Sequence, residues 1–232
     1  MSKLVLFLVE GKSDKVSLEG AIRQILHSKN EPYFMIQSDL TSDNHVCPAN
    51  VERVLLADVK NELWKRRVEL KDCLEIVHLI DTDAAFIKDD ALEENPMNYG
   101  VTYFTSKIVV QNKARIVDRN LHKRYNIQAL LDIDELKGVP YRLFYCSVNL
   151  EHVLHNNPNA STIRQKITLS NKFDDEYSDD VIKFLNYMSS PEIMHFKSYA
   201  ESWEYIKKSE NALTRASNIY YAVTSYLDFL NK

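Results

Sequence analysis

The sequence predicts an α/β protein, a mostly parallel sheet flanked by helices, followed by a helical C-terminal part. Three observations carry this. Near-continuous apolar runs of strand length at Lys3 to Val9 and Leu74 to Ile80 lack the polar alternation of a strand with one wet face. Stretches of helical periodicity separate them, in βαβαβ order. Four glycines and six prolines in 232 residues leave room for prominent helices and short loops.

Each element follows in order. After the first strand, Val16, Leu18, Ala21, Ile22, Ile25 and Leu26 recur at helical spacing, with Ser13 as a candidate N-cap. Tyr33 to Gln37 reads as a second strand after the Asn30-Glu-Pro32 break, and Val51 to Val68 as a long amphipathic helix entered through Pro48 and Asn50. The third strand ends in Asp81-Thr-Asp83. Between Asp83 and about Leu136 the pattern loosens and turns basic. Tyr141 to Cys146 restores a strand, and Ser147 to His155 opens like a helix with Ser147 as its cap. Beyond Ser161 the segments read as tyrosine-rich helices, among them Ser178 to Met188 and Glu210 to Leu230. The expected organisation is an α/β domain over 1–155, with a basic insert at about 95–126, and a helical extension over 156–232 packed on it.

Composition narrows the function classes. An apolar share of 45% with 27% charged residues is that of a globular protein. No apolar run approaches the roughly 20 residues that cross a bilayer, and Glu10 interrupts the first run too early for a signal peptide. The expectation is a cytoplasmic protein with no membrane partner. Cys47, Cys73 and Cys146 are odd in number and far apart, which points to buried, reduced thiols rather than disulfides or a zinc site. A formal net charge of -4 gives no overall case for nucleic acid, so local clustering has to carry one.

The acids at the strand ends carry the chemistry. In a parallel sheet, ligands collect at the carboxyl ends of strands, where Glu10 and the Asp81/Asp83 pair fall. Three carboxylates converging there repel one another unless a cation lies between them, and Mg²⁺, which takes oxygen ligands and substrate phosphates, suits such a place. Alternate residues leaving a strand share a side, so both acids of Asp81-Thr-Asp83 can reach one ion. Gly11 permits close backbone approach, Lys12 can pair with a phosphate, and Asp14 reads as part of the helix start. Taken singly, the Glu10 segment also reads as a turn with a helix cap, and a DxD recurs in acidic proteins.

Val9-Glu-Gly-Lys-Ser-Asp14, followed by His78-Leu-Ile-Asp-Thr-Asp-Ala-Ala-Phe86, resembles the Toprim domain of topoisomerases, bacterial primases, small ribonucleases and overcoming-lysogenization-defect (OLD) nucleases. The match covers about residues 3 to 90. The resemblance implies a Toprim-like (Rossmann-like) sheet with Glu10, Asp81 and Asp83 as metal-binding acids and Glu10 also as general acid or base. Tyr145-Cys-Ser-Val-Asn-Leu-Glu-His-Val-Leu-His155 is similar to a segment of OLD-type and RloB-type Toprim proteins of bacterial defence loci, which adds Asn149 and Glu151, the latter near the metal. Its implication is an Mg²⁺- or Mn²⁺-dependent nuclease acting on DNA or RNA in defence against phage, or a non-catalytic Toprim-like partner of a separately encoded ATPase. The chain departs from the family in lacking strand-passage and polymerase domains and a Walker A loop. It also has Ala-Ala-Phe where an acidic continuation would follow Asp83.

For nucleic acid itself, Lys107 to Arg124 is the local candidate. Lys113, Arg115, Arg119, Lys123 and Arg124 partly share a helical face, with Tyr99, Tyr103, Phe104 and Tyr125 as stacking surfaces. A solvated helix face explains the same charges. The C-terminal aromatics Tyr199, Trp203, Tyr205, Tyr220, Tyr221, Tyr226 and Phe229 read as core or as a homo-oligomer contact rather than a base-stacking platform.

Overall fold

A computed structural model describes residues 3–26, 30–37 and 39–227. The first half is β1 (Lys3–Val9), α1 (Lys12–Leu26), β2 (Asn30–Ile36), α2 (Val51–Lys65) and β3 (Cys73–Asp81). A small excursion follows, β4 (Leu92–Glu94), β5 (Val101–Tyr103) and β6 (Ile108–Val110), then the long α3 (Lys113–Leu131), β7 (Glu135–Leu136) and β8 (Val139–Cys146). The remainder is helical: α4 (Leu150–His155), α5 (Ile163–Tyr177), α6 (Val181–Met188), α7 (Tyr199–Lys207) and α8 (Ile219–Thr224). The main sheet has the order β2-β1-β3-β8-β7, with the first four strands mutually parallel and β7 antiparallel at one edge. The excursion forms its own sheet, β4-β6-β5.

Strand alternation divides the core in two. Val5, Phe7 and Val9 face α1, α5, α6 and α8, where they meet Leu18, Ile22, Phe173, Phe184 and Val223. Leu6 and Leu8 face the opposite layer, α2, α3 and α7, through Leu55, Val59, Ile127, Leu130 and Trp203. Both layers draw on residues beyond 155. Burial on both faces is why these strands show no polar alternation, and removing a side chain such as Leu55, fully buried, costs about 2–5 kcal/mol.

Several boundaries differ from expectation for local reasons. β2 begins at Asn30 and includes Pro32, which an edge strand tolerates because one side of its backbone is unpaired. α2 ends at Lys65, where Arg67 turns left-handed at φ 59° and the Val68 N–H returns to the Leu63 carbonyl. Ser13 lies inside the first turn of α1 and Asn149, not Ser147, caps α4. The segment before Met188 divides into α5, opened by a Thr162/Gln165 capping box, and α6, capped by Asp180.

The expected helix from Glu210 to Leu230 is corrected. Residues 212–218 run without helix, and only Ile219–Thr224 coils. The outer edge of β8 needs partners that the two-residue β7 does not supply at its far end. The Ser147 N–H reaches the Ala216 carbonyl (2.9 Å), the Asn218 side chain accepts the Tyr145 N–H (2.8 Å), and Ser217 bridges Cys146. Part of that predicted helix, with Phe229, lies outside the described residues. Trp203 and Tyr226 are buried and Tyr199 donates to the Leu143 carbonyl (2.7 Å). Cys73 and Cys146 are buried free thiols, but Cys47 is exposed. Among the described residues no helix is long and apolar enough to cross a membrane.

Candidate active site

All four parallel strands deliver carboxylates to one edge of the sheet. In sheet order these are Asp39 after β2, Glu10 after β1, Asp81 and Asp83 at the end of β3, and Glu151 on α4 just after β8. Asp14, in the first turn of α1, joins them. Glu10 Oε1 accepts the backbone N–H of Asp81 at 3.1 Å, which joins the two sequence motifs directly. The loop after β3 is fixed against the end of β8: the Thr82 N–H reaches the Cys146 carbonyl (2.9 Å), the Asp83 N–H the Val148 carbonyl (3.0 Å), and the Thr82 hydroxyl donates to the Ser147 carbonyl. Asp83 and Ala84 are both left-handed, at φ 49° and 54°. Two successive non-glycine residues in that region are strained, and an anchored loop is what holds them there.

Two lysines answer this concentration of negative charge. Lys123 of α3, fully buried, places Nζ 2.7 Å from Asp83 Oδ2 and 3.0 Å from Asp39 Oδ2. Burial alone would favour its neutral amine, yet Asp83, Glu10 and Asp39 together hold it firmly protonated. Lys166 of α5 lies 3.3 Å from Glu151 Oε1, and there too the acids Glu151, Asp81 and Asp14 outweigh burial and raise its pKa. The Ser13 hydroxyl donates to Asp14 (3.2 Å) and Glu151 (3.4 Å), and the Gly11 N–H donates to Asp14 (2.8 Å).

The carboxylates divide by surroundings. Asp39 is pushed up by burial, but Lys123 and hydrogen bonds from Ser42 and Thr41 outweigh this and bring it down to about 2. Glu10 is held well above the ordinary carboxylate range, first by burial and then by Asp39 and Asp83, against the pull of Lys123. Asp81 is raised by burial and by Glu10, Asp14, Asp83 and Glu151, and Asp14 by burial and Glu151. Glu10 and Asp81 keep part of their surface open, so the acids floor a shallow opening rather than a sealed cavity.

A divalent cation fits the donor chemistry. Every donor is an oxygen, Glu151 Oε2 is buried with no hydrogen-bond partner, and the mutual repulsion at Glu10 and Asp81 is what a cation relieves. As they stand, no three His, Cys, Asp or Glu side chains among the described residues converge closely enough to clasp an ion.

Of the residues read from sequence, Glu10, Asp81, Asp83 and Glu151 share this edge. Lys12 is exposed on the first residue of α1 and is not among the lysines that touch the acids. The expectation that Lys123 contacts nucleic acid is corrected: its ammonium is wholly buried on Asp39 and Asp83. The other basic candidates separate around α3. Arg115 and Arg119 line one groove, Arg124 a depression beside Lys88 and Asp89, and Lys113 sits at the helix start, where its N–H meets Glu94 (2.7 Å). Asp39, Asp14 and Lys166 escaped the sequence reading. Asp39 sits three residues past β2, a strand read from sequence with a later start, which was the available signal.

No protein-family model, no curated protein and no solved structure matches the chain.

Proposed function

We propose that the acid cluster is the active centre of a Toprim-like, Mg²⁺- or Mn²⁺-dependent nuclease that hydrolyses phosphodiester bonds of DNA or RNA in defence against phage. The observation that supports it is the delivery of carboxylates from four successive parallel strands to one partly open edge, answered among the described residues by two lysines. Structural salt bridges pair charges off, whereas an excess of buried acid at a sheet edge is costly and is kept where a ligand cation uses it.

Glu10, Asp81 and Glu151 would hold the metal, with Asp83 set by Lys123 beside them. A bound divalent ion supplies Lewis-acid polarisation of the phosphoryl oxygen and a more acidic water. The chain's own residues do the rest. Glu10 commits Oε1 to the Asp81 N–H, which leaves Oε2 as the atom free to meet the metal or to carry a proton, and burial with the neighbouring Asp39 and Asp83 raises its pKa. Lys166, its side chain 36% exposed, can turn from Glu151 to a phosphate oxygen, and Lys12 stands exposed where the first turn of α1 favours an anion.

The test is cleavage of plasmid, single-stranded DNA and RNA with Mg²⁺ or Mn²⁺. Glu10→Gln and Asp81→Asn should each lower the rate about 100-fold or more. Equal cutting by the parent and both variants would sink the assignment.

One observation favours a second reading, a non-catalytic nucleic-acid-binding or regulatory partner of an ATPase: Lys123 already neutralises Asp39 and Asp83 from within. On that reading no substrate is cut with either metal, with or without the ATPase, while complex formation survives Glu10→Gln.

A further inference from the structure

A cavity lies beside the acids rather than among them. It measures about 890 Å³, within the size range of ligand sites, between the loop after β2, the small sheet and the first turns of α3. Arg115 and Arg119 line it with the neutral hydrogen-bonding side chains of Asn44, Gln111 and Asn112, and Asp118 is the one acid in its wall.

Two lining residues tie the groove to the centre. The Ser42 hydroxyl donates to Asp39 Oδ2, and the Arg119 guanidinium donates to the Asp83 carbonyl at 3.2 Å. The groove is therefore separated from Asp39 and Asp83 by the single side chains of Ser42 and Arg119. At the rim, Gly100 turns left-handed at φ 96° with nothing within 4 Å of a side chain placed there, and its neighbour Tyr99 is 89% exposed. Phe104, 48% exposed, lies at the other end of β5, on the turn into β6.

We propose that this groove seats an unpaired polynucleotide strand and leads it to the acid cluster, an inference that rests on the phosphodiesterase reading of that cluster. Arginines set along a cleft neutralise successive phosphates, neutral amides hydrogen-bond to sugar and base edges, and the exposed ring of Tyr99 beside the rim offers a stacking face that every base can use. The recess selects against a double helix. Duplexes are held by elements that enter their grooves or grip them from outside, and a cleft of this volume between a loop and a hairpin takes only a few nucleotides of one strand.

The test is fluorescence anisotropy with labelled 12-mers of single-stranded DNA, single-stranded RNA and the matching duplex, in EDTA so that nothing is cut. Single strands should bind at least about tenfold more tightly than the duplex. Arg115→Glu, at an exposed position, should weaken single-strand binding about tenfold, and Arg115→Lys should restore most of it. Ala114→Trp, exposed on the same wall, fills the groove without changing charge and should weaken binding comparably. Arg115→Ala should lower the salt slope by about one phosphate. The inference is overturned if the duplex binds as well as the single strands, or if Arg115→Glu and Ala114→Trp both bind like the parent. Glu10-dependent cleavage that ignores both groove variants overturns the groove alone. Groove-dependent binding with no cleavage under Mg²⁺ or Mn²⁺ removes the phosphodiesterase reading and leaves a strand-binding groove.

Discussion

Glu10 Oε1 accepts the backbone N–H of Asp81 at 3.1 Å across two neighbouring parallel strands. Glu10 is thereby pinned beside the Asp81 backbone, and its charge adds to burial in raising the pKa of the Asp81 carboxyl. The repulsion is built into the sheet.

Relief of that repulsion should be measurable without any substrate. In EDTA at pH 7, Glu10→Gln keeps a hydrogen-bond acceptor and removes a charge, so it should raise stability by about 0.5–2 kcal/mol in urea unfolding. Added Mg²⁺ or Mn²⁺ should raise the melting temperature of the parent and leave that of Glu10→Gln nearly still. A variant that is less stable in EDTA would mean the acids are not in conflict.

The two lysines should behave oppositely. Lys123→Met orphans Asp39 and Asp83 around a fully buried position and should cost about 3–5 kcal/mol. Lys166 is partly exposed, so Lys166→Met should shift stability by less than about 1 kcal/mol while lowering cleavage. Denaturant curves paired with a cleavage assay separate the two roles.

Acid should act through His78. It is buried in β3 with Nδ1 2.7 Å from the Tyr141 hydroxyl, and burial pushes its pKa down to about 4, only partly offset by Asp39. Between pH 6.5 and 4 the unfolded chain takes up a proton that the folded one refuses, so this residue's contribution is full above pH 6.5 and fades as pH falls, by at most about 3 kcal/mol. Glu10 and Asp81 oppose it, because their raised pKa lets the folded state take up protons first. The difference between the parent and His78→Gln, followed by unfolding from pH 7 to 4, isolates the histidine. It should shrink steadily in acid.

A single methyl should disturb the layer behind the site. A Cβ on Gly20 of α1 would come within 2.5 Å of Ser178 Cβ and 2.8 Å of Asp174 Oδ1, at the end of α5. Gly20→Ala should therefore cost about 1–3 kcal/mol despite its better helix propensity. Thermal melting of the variant checks this.

Sequence made the central strands legible because burial on both faces writes them as nearly continuous apolar runs, as in Val5 to Val9 and Ile76 to Ile80, where His78 is the one polar residue. It made Glu10 and Asp81 legible because strand ends are where such runs stop. Lys123 misled, since periodicity places a basic residue on a helix without revealing that Asp39 and Asp83, 84 and 40 residues away, draw it inward. Residues 212–218 misled for a related reason. Ala212 to Asn218 hold no glycine or proline to break a helix, but the edge of β8, 73 residues earlier, draws the Asn218 side chain onto the Tyr145 N–H. Short-range pattern carries no record of partners so distant in the chain.

That late pairing also sets an order of assembly. During synthesis β1, β3 and β8 emerge well before Asn218, and until it arrives the end of β8 lacks the partners that fix the turn leading to Glu151. Glu10 and Asp81 can be brought together early, but the fourth strand's acid is locked only once Ala216 to Asn218 have been added.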